Sequence, residues 1–204
     1  MGGVEYFGEV KMAITARIDD DIKSLRKYFQ KLFELLHEAI EENKKAPMEV
    51  VDFESVESQK TFFHIDHFIK PDMVINIYSL VDFWLKEICN QHQKRNNLNI
   101  DYNSFKKSRC RGMSDLDCLH NYLTKVVGLN LDSVKVSFDQ LNNLRLVRNK
   151  LIHTGGHVLD EKEQDKIANI NGIGLGGTSL FIDDSFIWDS LDHAKQYLFE
   201  TAKF

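Results

Sequence analysis

Apolar residues recur at spacings of three and four along the first part of the chain. From Met12 to about Asn43 this pattern predicts one long amphipathic helix, because residues three and four apart share one face of an α-helix. Two lysines and Pro47 are expected to end it, and an acidic connector follows to about Gln59. The apolar positions are Ile14, Ile18, Ile22, Leu25, Phe29, Leu32, Phe33, Leu36 and Ile40.

A second long helix is predicted to begin at Pro71 and Asp72 and to run to about Gln93. Proline suits the first turn of a helix because its missing N–H would have no helical partner there. The residues just before it, 62–68, are predicted to form a short apolar segment that carries histidines. Apolar residues cover most of the circumference of this second helix, which predicts that it is the central and most buried one.

The later elements are predicted from caps and turn residues. Gly128 is expected to stop a helix, Ser133 to cap the start of the next one, and Gly155 to follow its end. These elements are a third helix over 115–127, a fourth over 133–153, a β-hairpin near 172–184 and a final helix over 186–202. The sequence therefore predicts a mainly all-α fold, an antiparallel helical bundle with a small β-hairpin, as one domain over 1–204.

Composition narrows the class of protein. The chain has 204 residues, of which 43% are hydrophobic and 28% charged, an ordinary globular balance that argues against disorder. The most apolar stretch is too short to cross a bilayer, and the N-terminus lacks the pattern of a signal peptide. We therefore expect a soluble cytoplasmic protein with no membrane partner.

Cys89, Cys110 and Cys118 are an odd number without a C-x-x-C pair, so we expect reduced thiols and neither a disulfide nor a zinc site.

Positive charge is concentrated in one segment. The whole chain carries a net charge of −5, but residues 94–111 hold six cations and one acid, a local net charge of +5. Tyr102 and Phe105 lie among these cations, and cations beside stackable rings are typical of single-strand binders. The segment is predicted to bind RNA, and the alternative is a solvated loop whose cations happen to cluster. The predicted RNA-binding residues are Lys94, Arg95, Tyr102, Lys106, Lys107, Arg109 and Arg111.

The end of the fourth helix carries the residues with catalytic potential. A helical projection places Arg148 in the middle of the apolar stripe and Arg145 on its shoulder, while Asn149 and His153 share a neighbouring face. An arginine on a buried stripe needs an acidic partner, a helix terminus, an interface or a ligand anion. The structural alternative is a core arginine paired with a carboxylate, in a helical scaffold, with the histidine capping its own helix.

These residue types are the minimum set for cleaving RNA without a metal. Arginine offers a planar, permanently charged fork that matches phosphate, and histidine exchanges a proton near neutral pH. One group activates the 2′-hydroxyl or protonates the leaving oxygen, and another stabilises the charge that develops on the phosphate. Arg148 and His153, with Asn149 between them, are therefore the candidate catalytic residues.

The run Arg148-Asn149-Lys150-Leu151-Ile152-His153 resembles the Arg-Asn-x-x-x-His signature of the HEPN superfamily, the higher eukaryotes and prokaryotes nucleotide-binding domains. The resemblance covers about residues 10–155, with 156–204 as an extension. It implies an all-α domain that forms a homodimer in which two signatures share a composite active site. It further implies a metal-independent endoribonuclease of toxin–antitoxin, abortive-infection or phage-defence type, with RNA as substrate and an antitoxin or sensor protein as a further partner.

The resemblance also implies residue roles. Arg148 contacts the scissile phosphate, His153 is the general acid or base, and Asn149 orients the histidine or the RNA. The acid on the earlier helix maps to Asp82, which orients Arg148 or Arg145 by ion pairing. Asp82 is equally compatible with a solvent-facing position beside Lys86, one turn along the same helix.

The same resemblance leaves two questions open. Members paired with a nucleotidyltransferase antitoxin often have a tyrosine two residues after the histidine, where this chain has Gly155, so regulation through that tyrosine is not expected. Some members bind without cleaving, so the alternative function is a non-catalytic module for RNA, a nucleotide or a partner protein.

No cofactor or metal is expected, because His64 and His67 lack converging ligands. The glycines at 172–177 are attributed to turns, since no helix follows them.

Overall fold

A computed structural model of the chain describes residues 3–45 and 53–203, with side chains described at 14–35, 37, 38, 41 and 68–203. The fold is mainly α-helical with one small antiparallel sheet, which confirms the predicted fold class. The elements are α1 (Gly3–Lys45), α2 (Phe53–Arg95), α3 (Tyr102–Arg109), α4 (Asp115–Lys125), α5 (Lys135–Thr154), α6 (Glu161–Ala168), β1 (Ile173–Gly176), β2 (Ser179–Ile182) and α7 (Asp184–Thr201).

Helix α2 lies at the centre of the bundle, as its all-round apolar pattern predicts. It packs against α1, α3, α4, α5 and α7, while α7 also packs against α1 and α5. Trp84 is among the largest fully buried side chains, and its indole Nε1 donates a hydrogen bond to Asp21 Oδ2 on α1 at 3.0 Å. The buried side chains of α2 and α7 therefore form the middle of the core, and α5 is held against both helices.

The predicted start of the second helix at Pro71 is wrong. Helix α2 runs without interruption from Phe53, so Pro71 lies inside it, and residues 53–70 are helical rather than a connector followed by a short separate segment. Proline fixes φ near the helical value, so its cost is a missing hydrogen bond and local crowding. Met73 and Val74 are fully buried just after it, and this packing is the kind of gain that offsets that cost. Residues 46–52, the rest of the predicted connector, lie outside the described residues.

Two short helices are absent from the sequence prediction. Helix α3 lies within the basic segment and begins where the Asp101 carboxylate accepts a hydrogen bond from the backbone N–H of Ser104 at 2.9 Å. Helix α6 is capped in the same way by Asp160, which accepts from the backbone N–H of Glu163 at 3.0 Å. Each has eight residues, too few for apolar periodicity to stand out from a polar background.

The start of α5 also differs from the prediction, whereas its end agrees with it. Ser133 lies within a short 3-10 turn, Asp132–Val134, and does not cap the helix, which begins at Lys135 without a side-chain cap. The 3-10 turn leads into the helix instead, because the backbone N–H of Lys135 donates a hydrogen bond to the Asp132 carbonyl. At the other end Gly155 adopts the left-handed conformation, with φ of 60°, which terminates the helix.

The predicted hairpin and final helix are confirmed. Strands β1 and β2 pair in antiparallel register from Ile173 opposite Ile182 to Gly176 opposite Ser179. Gly177 follows β1 with φ of 62°, a conformation that favours glycine in a tight turn. The hairpin packs onto the end of α5, because the backbone N–H of Leu180 donates to the Gly156 carbonyl at 2.9 Å.

The cysteine prediction is wrong for two of the three residues. Cys110 and Cys118 form a disulfide, with their Cα atoms 5.6 Å apart. The loop after α3 turns back at Gly112, whose φ is 79°, and brings Cys110 against the beginning of α4. Cys89 is a free buried thiol, and burial raises its pKa to about 12. Among the described residues, no helix is long and apolar enough to cross a membrane.

Candidate functional site

The last two turns of α5 carry the Arg-Asn-x-x-x-His signature, and the helix end is fixed by backbone hydrogen bonds. The carbonyl of Lys150 accepts from the backbone N–H of Gly156 at 3.1 Å and from Thr154 Oγ1 at 2.9 Å. The ammonium group of Lys150 forms an ion pair with Glu163, which ties α6 to this end of the helix. The signature therefore sits on a rigid helix terminus.

Arg148 projects from α5 toward α2. Its guanidinium carbon lies 5.3 Å from the ring centroid of Tyr78, and its Nη1 donates to Asn149 Oδ1 at 3.1 Å. The side chain is half-buried, and its Nε is buried without a hydrogen-bond partner in the part of the chain that the structure describes. A guanidinium over an aromatic face is attracted by the ring's negative π-cloud, so Tyr78 holds the group in place without neutralising it.

No carboxylate of the described residues forms an ion pair with Arg148. The structural alternative of an arginine paired with a buried acid therefore does not describe this site. The second part of that alternative, a histidine that caps its own helix, is not observed either, because His153 is exposed and makes no hydrogen bond within residues 68–203. The charge of Arg148 thus remains available to an anion.

Tyr78 is the residue of this site that sequence reasoning missed. It lies on α2 one turn before Asp82, and burial raises the pKa of its phenol, with the nearby Asp82 carboxylate acting in the same direction and the two arginines of α5 opposing it. The phenol is therefore protonated at neutral pH and can donate a hydrogen bond. Its position four residues before the candidate acid, on the same helical face, was a signal that could have identified it.

Asp82 pairs with a lysine and not with an arginine of the signature. Its Oδ2 lies 2.6 Å from Lys86 Nζ, one turn along α2, which is the second of the two placements that the sequence allowed. Arg145 is half-buried, and its Nε donates to Asn142 Oδ1 on its own helix at 3.3 Å. Asp82 still contributes negative charge beside Tyr78, but it does not orient Arg148 or Arg145 by an ion pair.

Asn149 and His153 lie on a different side of α5 from the Tyr78 contact. The oxygen of Asn149 accepts from Arg148, so this residue orients the arginine and not the histidine. His153 lies five positions after Arg148, which places the two residues about 140° apart around the helix and about 7.5 Å apart along it. A single signature therefore presents a held arginine and an exposed histidine in different directions.

The predicted stacking residue of the basic segment is not available to RNA. Tyr102 is 5% exposed, and its ring packs edge-on against Tyr122, with centroids 5.9 Å apart. Phe105 is buried against the same ring. Both residues form the core-facing side of α3. The sequence predicted them as a stacking surface because the helix itself was not predicted. The expectation that Tyr102 stacks on a base is therefore wrong.

The cations of the basic segment differ in whether they are paired with an acid and in how exposed they are. Lys106 pairs with Asp115 at 2.7 Å, a carboxylate that also acts on the Tyr78 phenol, so α3 lies near the arginine site. Arg95 is half-buried at the end of α2. Four other cations are exposed and able to contact a phosphate backbone: Lys94, Lys107, Arg109 and Arg111.

The described side chains contain no group of three or more histidine, cysteine or acidic residues that could hold a metal ion. The side chains of His64 and His67 lie outside the described residues. None of the protein-family models, curated proteins or solved structures compared with this chain matches it. The resemblance to the HEPN superfamily accordingly rests on the signature residues and on the order of the helices around them.

Proposed function

We propose that this protein is a metal-independent endoribonuclease of HEPN type that cleaves single-stranded or loop RNA. The observation that carries the proposal is the state of Arg148, whose guanidinium lies over Tyr78 with no carboxylate partner in the described part of the chain. A preorganised cation without a counter-ion is suited to a phosphate whose charge increases in the transition state. The exposed His153, later on the same helix, supplies a proton-transfer group.

The reaction follows from these two groups. A base takes the proton of the 2′-hydroxyl, and the resulting oxygen attacks the adjacent phosphorus. The bond from phosphorus to the 5′-oxygen breaks, and an acid protonates that leaving oxygen. The products are a 2′,3′-cyclic phosphate and a 5′-hydroxyl. Arg148 stabilises the additional negative charge on the phosphoryl oxygens, and unpaired RNA is preferred because only a splayed nucleotide reaches the in-line geometry.

A homodimer accounts for the direction of the residues. One signature offers a single histidine, whereas the reaction needs a base and an acid at opposite sides of the phosphorus. Two copies of α5 meeting near the signature supply two histidines and two arginines to one phosphodiester. Ile152, between the two catalytic candidates, is 44% exposed, and a dimer formed at this surface would remove its apolar side chain from water.

The proposed biological role is that of a toxin, abortive-infection or phage-defence ribonuclease in the cytoplasm, controlled by an antitoxin or sensor protein. Cleaving cellular or invading RNA needs no further substrate specificity than access to unpaired nucleotides. Exposed cations such as Lys94, Lys107 and Arg111 guide the RNA backbone.

The test is cleavage of a labelled single-stranded RNA by the full chain in the presence of EDTA. We expect a product with a 2′,3′-cyclic phosphate end. His153→Ala should abolish the product, because it removes the acid and base groups. Arg148→Ala should lower the cleavage rate by about 100-fold or more, the usual loss for one group that stabilises transition-state charge.

Two matched controls separate catalysis from general damage. His37→Ala removes another exposed histidine, on α1, and should leave cleavage unchanged. Arg17→Ala removes an arginine with a similar ring contact, 5.4 Å from the Trp84 centroid, and should also leave cleavage unchanged. Wild-type protein that cuts no RNA, or His153→Ala protein that still cuts it, would contradict the ribonuclease proposal.

A second candidate function is favoured by the surroundings of His153. Catalytic histidines are normally oriented by a hydrogen bond to their second ring nitrogen, and His153 has no such partner among the described residues of one chain. A non-catalytic HEPN module would use Arg148 and Arg145 as an anion clamp for RNA, a nucleotide or a partner protein. Salt-dependent RNA binding that is lost in Arg148→Ala, without any cleavage product from the wild type, would favour this function.

A further inference from the structure

A cavity of about 390 Å³ lies where the end of α3, the loop after it and α4 meet. It is within the size range of small-molecule sites, which usually combine an apolar lining with a few placed polar groups. Its apolar part is formed by Ile100, Phe105, Met113 and Val126, and its charged part by Arg109 and Lys125. The signature residues of α5 do not line it, so it is distinct from the candidate ribonuclease site.

The charge of the cavity has one sign. No carboxylate lines it, and neither Arg109 nor Lys125 forms an ion pair with any residue that the structure describes. The neighbouring Lys106 shows the contrast, because its ammonium group is paired with Asp115 at 2.7 Å. Two unpaired cations on one cavity attract an anion, and the guanidinium can bind a carboxylate, sulfonate or phosphate through two hydrogen bonds.

The apolar part of the cavity is only partly covered by the protein. Ile100 and Met113 are each 47% exposed, although both are large apolar side chains. Phe105 is buried beneath them. A ligand with an apolar body would remove the exposed surface of these side chains from water, which is favourable in proportion to the area covered.

The Cys110–Cys118 disulfide fixes the two charged walls relative to each other. Cys110 directly follows Arg109, and Cys118 belongs to α4, the helix that ends at Lys125. Met113 lies in the loop that the disulfide closes. A site whose walls are covalently linked loses less conformational entropy when it binds a ligand.

We infer that this cavity binds a small organic anion with an apolar body, its anionic group on Arg109 and Lys125 and its body against Ile100, Met113 and Val126. A medium-chain carboxylate and a nucleoside monophosphate share this chemistry. The inference does not rest on the ribonuclease proposal, because binding is measured without RNA and the signature residues do not line the cavity.

The test is a fluorescence titration of the full chain with 8-anilinonaphthalene-1-sulfonate, an anion with an apolar aromatic body. We expect saturable binding to one site per chain. The double variant Arg109→Gln/Lys125→Gln should weaken binding roughly 10-fold or more, since it removes both charge-assisted contacts to the anionic group. The control Lys107→Gln/Arg111→Gln removes two exposed cations that do not line the cavity and should bind the probe as the wild type does.

Competition then identifies the source of the ligand. Displacement of the probe by decanoate supports a carboxylate with an alkyl chain, and displacement by adenosine monophosphate supports a nucleotide. Displacement by inorganic phosphate at the same concentration would overturn the inference, because the apolar body would then be irrelevant. Displacement by none of the three, or equal weakening in the two double variants, would overturn it as well. Reduction of the disulfide is expected to weaken probe binding in the wild type and not in Cys110→Ala/Cys118→Ala.

Discussion

The contact between Arg148 and Tyr78 shows how one aromatic residue can keep an arginine both placed and charged. A carboxylate would hold the guanidinium more strongly but would cancel the charge that a phosphate needs. A tyrosine face attracts the cation by a smaller amount, roughly 0.5–2 kcal/mol according to burial, and leaves its net charge unchanged. The distance of 5.3 Å from the guanidinium carbon to the ring centroid lies within the range of such contacts.

Substitution of Tyr78 tests whether its ring face is what matters. We expect Tyr78→Leu to weaken the binding of single-stranded RNA by roughly 10-fold, because Arg148 loses the surface that positions it. Tyr78→Phe keeps the ring and should bind within about twofold of the parent. Both are measured by fluorescence anisotropy in the inactive His153→Ala background, so that cleavage does not consume the RNA. Equal losses in the two variants would contradict the ring-face explanation and would point to the phenol hydroxyl.

At the scale of single residues, the sequence predicted Arg148 as an arginine on a buried stripe that can bind an anion. It did not predict which side chain of α2 contacts it. The position of Arg148 on an apolar stripe followed from helical periodicity, and the structure places it half-buried as that stripe requires. The choice between Tyr78 and Asp82 as its partner depended on side-chain directions across two packed helices. Those directions are set by tertiary packing, which a one-dimensional pattern does not contain.

Among the elements, α2 shows how packing can override a local signal. Pro71 is a good first-turn residue in isolation, and the sequence therefore predicted that the helix begins there. The helix continues through it for 43 residues in all, from Phe53 to Arg95. Periodicity predicted most of α1, although that helix begins at Gly3 and not at Met12, and caps and turn residues predicted α4, α5 and α7. Helices α3 and α6 are short and polar and depend on their aspartate caps.

Replacement of Pro71 tests its interior position. Pro71→Ala should raise the free energy of unfolding by about 1–2 kcal/mol, because alanine restores a helical hydrogen bond and removes crowding. Asn76→Ala, at an exposed interior position of the same helix, serves as the control and should raise it by only about 0.5 kcal/mol. The measurement is urea unfolding followed by circular dichroism. A Pro71→Ala protein no more stable than the control would mean that the helix starts at Pro71 after all.

At the scale of the whole molecule, the proposed function depends on the surface of α5 around Ile152, which is exposed in a single chain and would be covered in the proposed dimer. Ile152 is 44% exposed on the outer side of α5, beside the signature histidine. A charged residue at the centre of a small dimer interface would be buried without a partner, which strongly opposes association.

Ile152→Glu should therefore convert the proposed dimer into a monomer. Light scattering coupled to gel filtration is expected to give a mass of twice 23.7 kDa for the wild type and 23.7 kDa for the variant. Cleavage should be lost together with the dimer if the active site is composite. Val136→Glu places the same charge at an exposed apolar position, 68% exposed, at the opposite end of α5, and should remain dimeric and active. A wild type that is already monomeric, yet active, would contradict the composite site.

The position of α7 has a consequence for how the chain is made. Leu191, Ala194, Tyr197 and Leu198 are fully buried, and their helix is the element that packs against α1, α2 and α5 together. A ribosome delivers this helix after every other described element. The earlier helices therefore emerge with apolar faces that stay uncovered until α7 has been made, and during that time they are vulnerable to aggregation and accessible to chaperones. A chain that terminated before Asp184 would lack α7, and the apolar faces of α1, α2 and α5 that pack against it would stay exposed.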